Sequence, residues 1–100
     1  MKQYNKLVRD KIPEYLDSKG IPYEKRTANE EEFREELIKK LTEEIAEFME
    51  AKNTEELADI LEVIETLKKL PEFTDVEEIQ RKKREEKGGF SKRIIIKGEK

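Results

Sequence analysis

The chain has 100 residues, 47% of them charged and 34% apolar, with a formal net charge of −3 and neither cysteine nor histidine. That length suits one domain with a modest core, and the interleaved charges suit densely ion-paired helices better than a disordered tail. The acidic balance argues against a general nucleic-acid binder; the missing Cys and His exclude disulfides, thiolate chemistry, His-based nucleophile systems and the commonest zinc ligand, leaving carboxylates, hydroxyls, Lys, Arg and a hard metal ion.

In chain order, the punctuation marks four helices. Asp10 is placed to cap a short first helix, with Pro13 in its opening turn and Gly20 closing it after Lys19. Ile21 to Ala28 contains a proline and no helical period, and reads as a connector with room for a brief extended segment. Asn29 followed by Glu32 forms a capping-box pattern that opens a long helix running to about Lys52. Asn53 and Thr54 make a tight turn and the cap of a third helix, which runs to Leu70 and is stopped by Pro71. Thr74 with Glu77 repeats the capping box for a fourth, highly charged helix ending at Gly88 and Gly89. The tail SKRIIIKGEK, with its three isoleucines, reads as one short strand or an arm packed back over the bundle, anchored by Phe90.

At about 100° per residue, Phe33, Leu37, Leu41, Ile45 and Phe48 share one stripe of the second helix; Glu44 falls on that stripe and Glu47 just past its edge. On the third helix Leu57, Ile60, Leu61, Val63, Ile64 and Leu67 make a wide stripe that Leu70 extends. Glu56 projects between Leu67 and Val63, and Asp59 sits at the margin beside Leu70. A turn as short as Asn53 and Thr54 folds the two helices into an antiparallel hairpin, so both acidic margins meet near the turn. Four carboxylates beside a core repel one another and lose hydration unless a cation neutralises them. Oxygen-only ligands select Mg²⁺, with Mn²⁺ as a substitute. Solvated surface acids are the plain alternative in a chain with 25 of them, and placement on apolar stripes favours the metal.

The runs YNKLVRDKIPEYL (Tyr4 to Leu16), KLTEEIAEF (Lys40 to Phe48), ELADILEVI (Glu56 to Ile64) and KKREEKGGFSKRIII (Lys82 to Ile96) are spread along nearly the whole chain. Together they resemble the MazG-like group of all-α nucleotide pyrophosphohydrolases, and within it the small single-domain members of phosphoribosyl-ATP pyrophosphohydrolase-like type. The resemblance implies hydrolysis of a nucleoside triphosphate between its α and β phosphates, yielding the monophosphate and pyrophosphate in nucleotide-pool housekeeping. It also implies that Glu44, Glu47, Glu56 and Asp59 bind Mg²⁺ and carry catalysis. Glu43 completes the acidic motif yet faces away from the stripe, and is secondary.

Basic residues have two readings each. Lys40, one turn before Glu44, either binds phosphate or forms an i,i+4 pair worth a few tenths of a kcal/mol. Lys6 and Arg9 lie in the N-terminal motif, where the resemblance favours phosphate contact over ordinary surface charge; Lys92 and Arg93, after Gly-Gly-Phe, carry the same two readings with less support. The expected fold is all-α, an antiparallel bundle of about four helices with a short C-terminal strand or arm. Because the third helix is apolar over about half its circumference, completion by a homodimer or a higher homo-oligomer is expected. No apolar run approaches the ~20 residues that span a bilayer, and the charged start lacks the apolar centre of a signal peptide, so a cytoplasmic protein without membrane or nucleic-acid partners is expected. The wealth of Glu, Lys and Arg also fits a thermophilic source. Two alternatives stand beside the housekeeping enzyme: a phosphoribosyl-ATP pyrophosphohydrolase of histidine synthesis, and a non-catalytic helical dimerisation module.

Overall fold

The computed structural model describes residues 5–99; Tyr4 of the N-terminal motif and the last residue of the tail lie outside them. The described chain is all-helical: α1 (Ile12–Ser18), α2 (Glu30–Ala51), α3 (Thr54–Leu67), a 3₁₀ turn (Pro71–Phe73) and α4 (Val76–Lys87). None of these helices is long and apolar enough to cross a membrane.

Helix α1 begins differently from expectation. Lys11 occupies its capping position and no side chain caps the first turn. Asp10 lies in the preceding turn, closed by the Ile12 N–H donating to the Arg9 carbonyl at 3.1 Å. Gly20 does close the helix: at φ 67° it lets its own N–H and that of Ile21 reach the carbonyls of Asp17 and Leu16, at 3.1 and 3.0 Å. The connector to α2 is irregular and contains no strand, yet it is tied at both ends. The Tyr23 hydroxyl donates to Asp17 at 2.9 Å, and the Arg26 guanidinium grips both oxygens of Glu32 at 2.5 Å.

Two asparagine caps frame the central hairpin. Asn29 Oδ1 accepts the Glu32 N–H at 2.9 Å to start α2, and Asn53 Oδ1 accepts the Glu56 N–H at 3.0 Å to start α3. Only Lys52 and Asn53 separate the helices, and the reversal is made by Lys52 in the left-handed region, φ 51°. Helix α3 stops at Leu67, three residues short of expectation, because Pro71 forces Leu70 into an extended conformation (φ −71°, ψ 142°) and the preceding turn tightens. The predicted cap of α4 does not form. Thr74 Oγ1 donates instead to the Pro71 carbonyl at 3.3 Å, Asp75 takes the capping position, and Glu77 is drawn away into an ion pair with Lys68.

Among the described residues, α2 and α3 are the one pair of helices packed along their length. The monomer is therefore a two-helix hairpin with peripheral elements, and the expected four-helix bundle is not completed within one chain. Helix α4 buries no residue and α1 spans only two turns, so neither supplies a face to close it. Among the described residues the buried apolar core consists of Leu37 and Val63, ringed by half-buried Phe33, Leu41, Phe48, Ile60, Leu67 and Leu70.

Both helices carry a further apolar stripe that stays exposed among the described residues. On α2 it comprises Ile38, Ile45 and Met49; on α3, Leu57, Leu61 and Ile64. Each stripe is displaced by about 100° from its helix's buried face in the same rotational sense. Antiparallel pairing reverses that sense, so the two stripes lie on one side of the hairpin as a continuous apolar face. The tail differs from expectation as well. Residues 94–99 form neither strand nor packed arm, and Phe90, expected as an anchor, is 97% exposed. The radius of gyration is 18.0 Å, against about 13 Å for a compact 100-residue domain. The accessible surface is 9828 Å², against about 5,900 Å² for a compact monomer of this mass.

Candidate metal centre

The cap at Asn53 sets the register of α3, and that register turns Glu56 toward α2 with Asp59 one turn further on. From α2, Glu44 projects into the same interface two turns after Leu37. One carboxylate oxygen from each of Glu44, Glu56 and Asp59 lies within 4.8 Å of the others. Glu44 is only 8% exposed. Glu44 and Glu56 each hold an Oε2 that is buried without a hydrogen-bond partner.

The electrostatics follow from that crowding. Burial is the first cause pushing the Glu44 carboxyl above its ordinary range; the charge of Glu47 adds to it, Lys40 opposes, and Asp59 adds again. Glu56 is pushed up for the same leading reason, with Glu47 and then Asp59 contributing. Glu47 is exposed and stands outside the close trio, at its rim, as the helical period predicts.

Cations border the acids on one side. Arg9 donates to Asp59 Oδ1 at 2.7 Å, joining the N-terminal segment to α3. Lys40 lies 3.7 Å from Glu44 and 3.6 Å from Glu43, and Lys6 lies 3.5 Å from Glu43. Glu43, read as secondary, thus gathers two of the predicted phosphate-binding lysines; helical period carries no sign of this, because its Lys6 partner comes from a distant segment. Lys92 and Arg93 are not brought to the cluster. They sit in the exposed tail, where the Arg93 N–H donates to the Phe90 carbonyl at 3.1 Å, and among the described residues their side chains form no hydrogen bond or ion pair. The reason is that Phe90 and the isoleucines find no surface of their own chain to pack on.

The donor set fits a hard divalent cation. Two buried carboxylate oxygens without partners and a third acid within reach are what an oxygen-coordinated ion would satisfy, and no nitrogen or sulfur ligand is offered. A concavity of about 500 Å³ lined by Phe33, Arg34, Leu70 and Glu72 lies at the opposite, open end of the hairpin, away from the acids. Comparison with known protein families, with curated proteins and with solved structures finds no match for this chain.

Proposed function

We propose that the protein is a Mg²⁺-dependent nucleoside triphosphate pyrophosphohydrolase acting as a homodimer in nucleotide-pool housekeeping. The observation that carries the reading is the trio Glu44, Glu56 and Asp59 within 4.8 Å, two of them holding buried oxygens without partners. Isolated surface acids have no reason to converge on the buried side of a hairpin, where desolvation and like charge both oppose them. The four sequence runs that resemble MazG-like enzymes supply the substrate class.

Glu44, Glu56 and Asp59 would hold the ion. When bound there, Mg²⁺ would neutralise phosphate oxygens and make bound water more acidic. The chain's own groups do the rest. Arg9, Lys6 and Lys40 present positive charge on the same side as the acids, suited to the polyphosphate of a substrate. Glu47, exposed at the rim and outside the trio, is placed to accept a proton from the attacking water. The α phosphorus is the expected point of attack, with pyrophosphate leaving.

The test is product identity. A panel of canonical and damaged nucleoside triphosphates, phosphoribosyl-ATP included, is incubated with Mg²⁺ or Mn²⁺ and assayed for pyrophosphate. Release of pyrophosphate from at least one of them is expected, and Asp59→Asn, nearly isosteric and at the margin of the packed face, should keep the helical content while slowing turnover at least tenfold. No pyrophosphate from any substrate would favour the second reading, a dimerisation module, whose support is the exposed apolar face of the hairpin, and full activity in Asp59→Asn would remove Asp59 from the metal site.

A further inference from the structure

Charge ties the acids to the N-terminal segment. Arg9 Nη2 donates to Asp59 Oδ1 at 2.7 Å, and Lys6 lies 3.5 Å from Glu43, the neighbour of Glu44. Residues 5–9 have no regular secondary structure, and of residues 5–11 all but the half-buried Leu7 are exposed. We propose that this segment is a strap across the acidic centre: Arg9 serves Asp59 as an internal counter-ion, and a divalent cation entering the trio displaces it and releases the segment. The inference rests on the metal-centre reading above and adds its regulation, since release frees Arg9 for the phosphates assigned to it there.

Three observations carry it. The first is a shared carboxylate. Asp59 is both the acceptor of Arg9 and a member of the trio whose oxygens lie within 4.8 Å, so an ion held by the trio stands beside the guanidinium, and like charges that close repel. The second is the balance of charge. The ionised trio is opposed at ion-pair distance by Arg9 on Asp59 and by Lys40 on Glu44, so a divalent ion added to both would leave an excess of positive charge. Of the two cations Arg9 is the one able to leave: its side chain is 56% exposed on an irregular segment, whereas that of Lys40 is 19% exposed and fixed by α2 one turn from Glu44. The third is that Arg9 satisfies only the edge of the centre. Glu44 and Glu56 each keep a buried oxygen without a partner, which an entering ion would satisfy, while the contact it breaks is an exposed pair of the weak kind. Linkage then requires that Arg9, being displaced by the ion, weakens its binding while in place.

The absence of cysteine lets one label report on the strap. The Asn5→Cys chain is labelled with a fluorophore and titrated with Mg²⁺, with NaCl of equal ionic strength as the blank, and calorimetric titration with Mg²⁺ is run on the same material. Anisotropy is expected to fall over the range in which calorimetry registers binding. Arg9→Gln, which removes the charge, should show low anisotropy before Mg²⁺ is added and bind Mg²⁺ about threefold more tightly; Arg9→Lys, which keeps the charge, should stay within about twofold of the parent. Mg²⁺ affinity unchanged or weakened in Arg9→Gln would overturn the strap and make Arg9 an orienting partner of Asp59, and an equal gain in Arg9→Lys would overturn the charge argument. Mg²⁺ binding with unchanged anisotropy, or an equal fall in NaCl, would refute the strap while the metal centre stands. No heat of Mg²⁺ binding in the parent or in Arg9→Gln would remove the metal centre, and the strap with it.

Discussion

Replacing Glu44 by Gln tests the acidic centre most sharply, because the same substitution should stabilise the metal-free protein and remove its response to metal. Two like charges at 4.8 Å, the bound on the Glu44–Asp59 oxygen separation, repel by about 3.5 kcal/mol at an effective dielectric of 20 and by about 0.9 kcal/mol in water. Glu44 is buried, but Asp59 is half-exposed and paired with Arg9, and Lys40 attracts Glu44 at 3.7 Å. A net relief of about 1 kcal/mol is therefore expected, which raises the thermal midpoint of a domain this size by roughly 4–8 °C. The sign of the pH dependence follows from the upward push on the carboxyl. Unfolded Glu titrates near 4.5, so the native chain binds the extra proton above that pH and its stability falls as pH rises from about 4.5 through the raised native value. Gln has no proton to lose. The variant should match its parent near pH 4 and exceed it at pH 8, and taking the difference cancels the opposite behaviour of Glu32 and Glu77, whose cation partners lower their carboxyls. With Mg²⁺ at a hundredfold excess over its dissociation constant the parent should gain about 2.7 kcal/mol, and each tenfold loss of affinity in the variant removes about 1.4 kcal/mol of that. Differential scanning calorimetry at fixed protein concentration, with and without Mg²⁺ at pH 4 and 8, gives all four values. A metal-free variant less stable than its parent at pH 8, or an undiminished Mg²⁺ increment, would refute the reasoning.

Three further outcomes are expected. Asn53→Ala removes the acceptor of the Glu56 N–H, so it should lower stability by about 1 kcal/mol and weaken the Mg²⁺ increment through the misplaced first turn of α3, both read by calorimetry. Arg9→Ala breaks an exposed ion pair with Asp59 and should change stability by less than about 1 kcal/mol, while steady-state kinetics show a raised KM with kcat little altered if Arg9 holds phosphate equally in ground and transition states. Lys52→Gly relieves a left-handed non-glycine residue, φ 51°, and should raise the denaturant midpoint by up to about 1 kcal/mol in stability; a loss would mean that chain entropy outweighs the strain.

Near-neighbour chemistry is written directly into the sequence. The caps at Asn29 and Asn53 each act on the residue three positions on, Gly20 acts on the turn before it, and the apolar period of α2 and α3 turns Glu44 and Glu56 inward; all of these depend on separations of a few residues, and all appear in the structure. Competition among partners is what near-neighbour patterns leave open. Thr74 and Glu77 match a capping box, yet Lys68 takes Glu77 and the Pro71 carbonyl takes Thr74, because tertiary partners outbid a local bond worth about 1 kcal/mol. The meeting of Arg9 with Asp59 and of Lys6 with Glu43 likewise required the N-terminal segment to cross the hairpin, a contact over 50 residues in the first case. The same holds for Lys92 and Arg93: their motif lies in the sequence, but tertiary structure leaves them in an exposed tail, away from the acids. Burial is a property of what lies opposite a residue, and for Phe90, Ile95 and the outer stripe of α3 no described residue lies opposite closely enough to bury them.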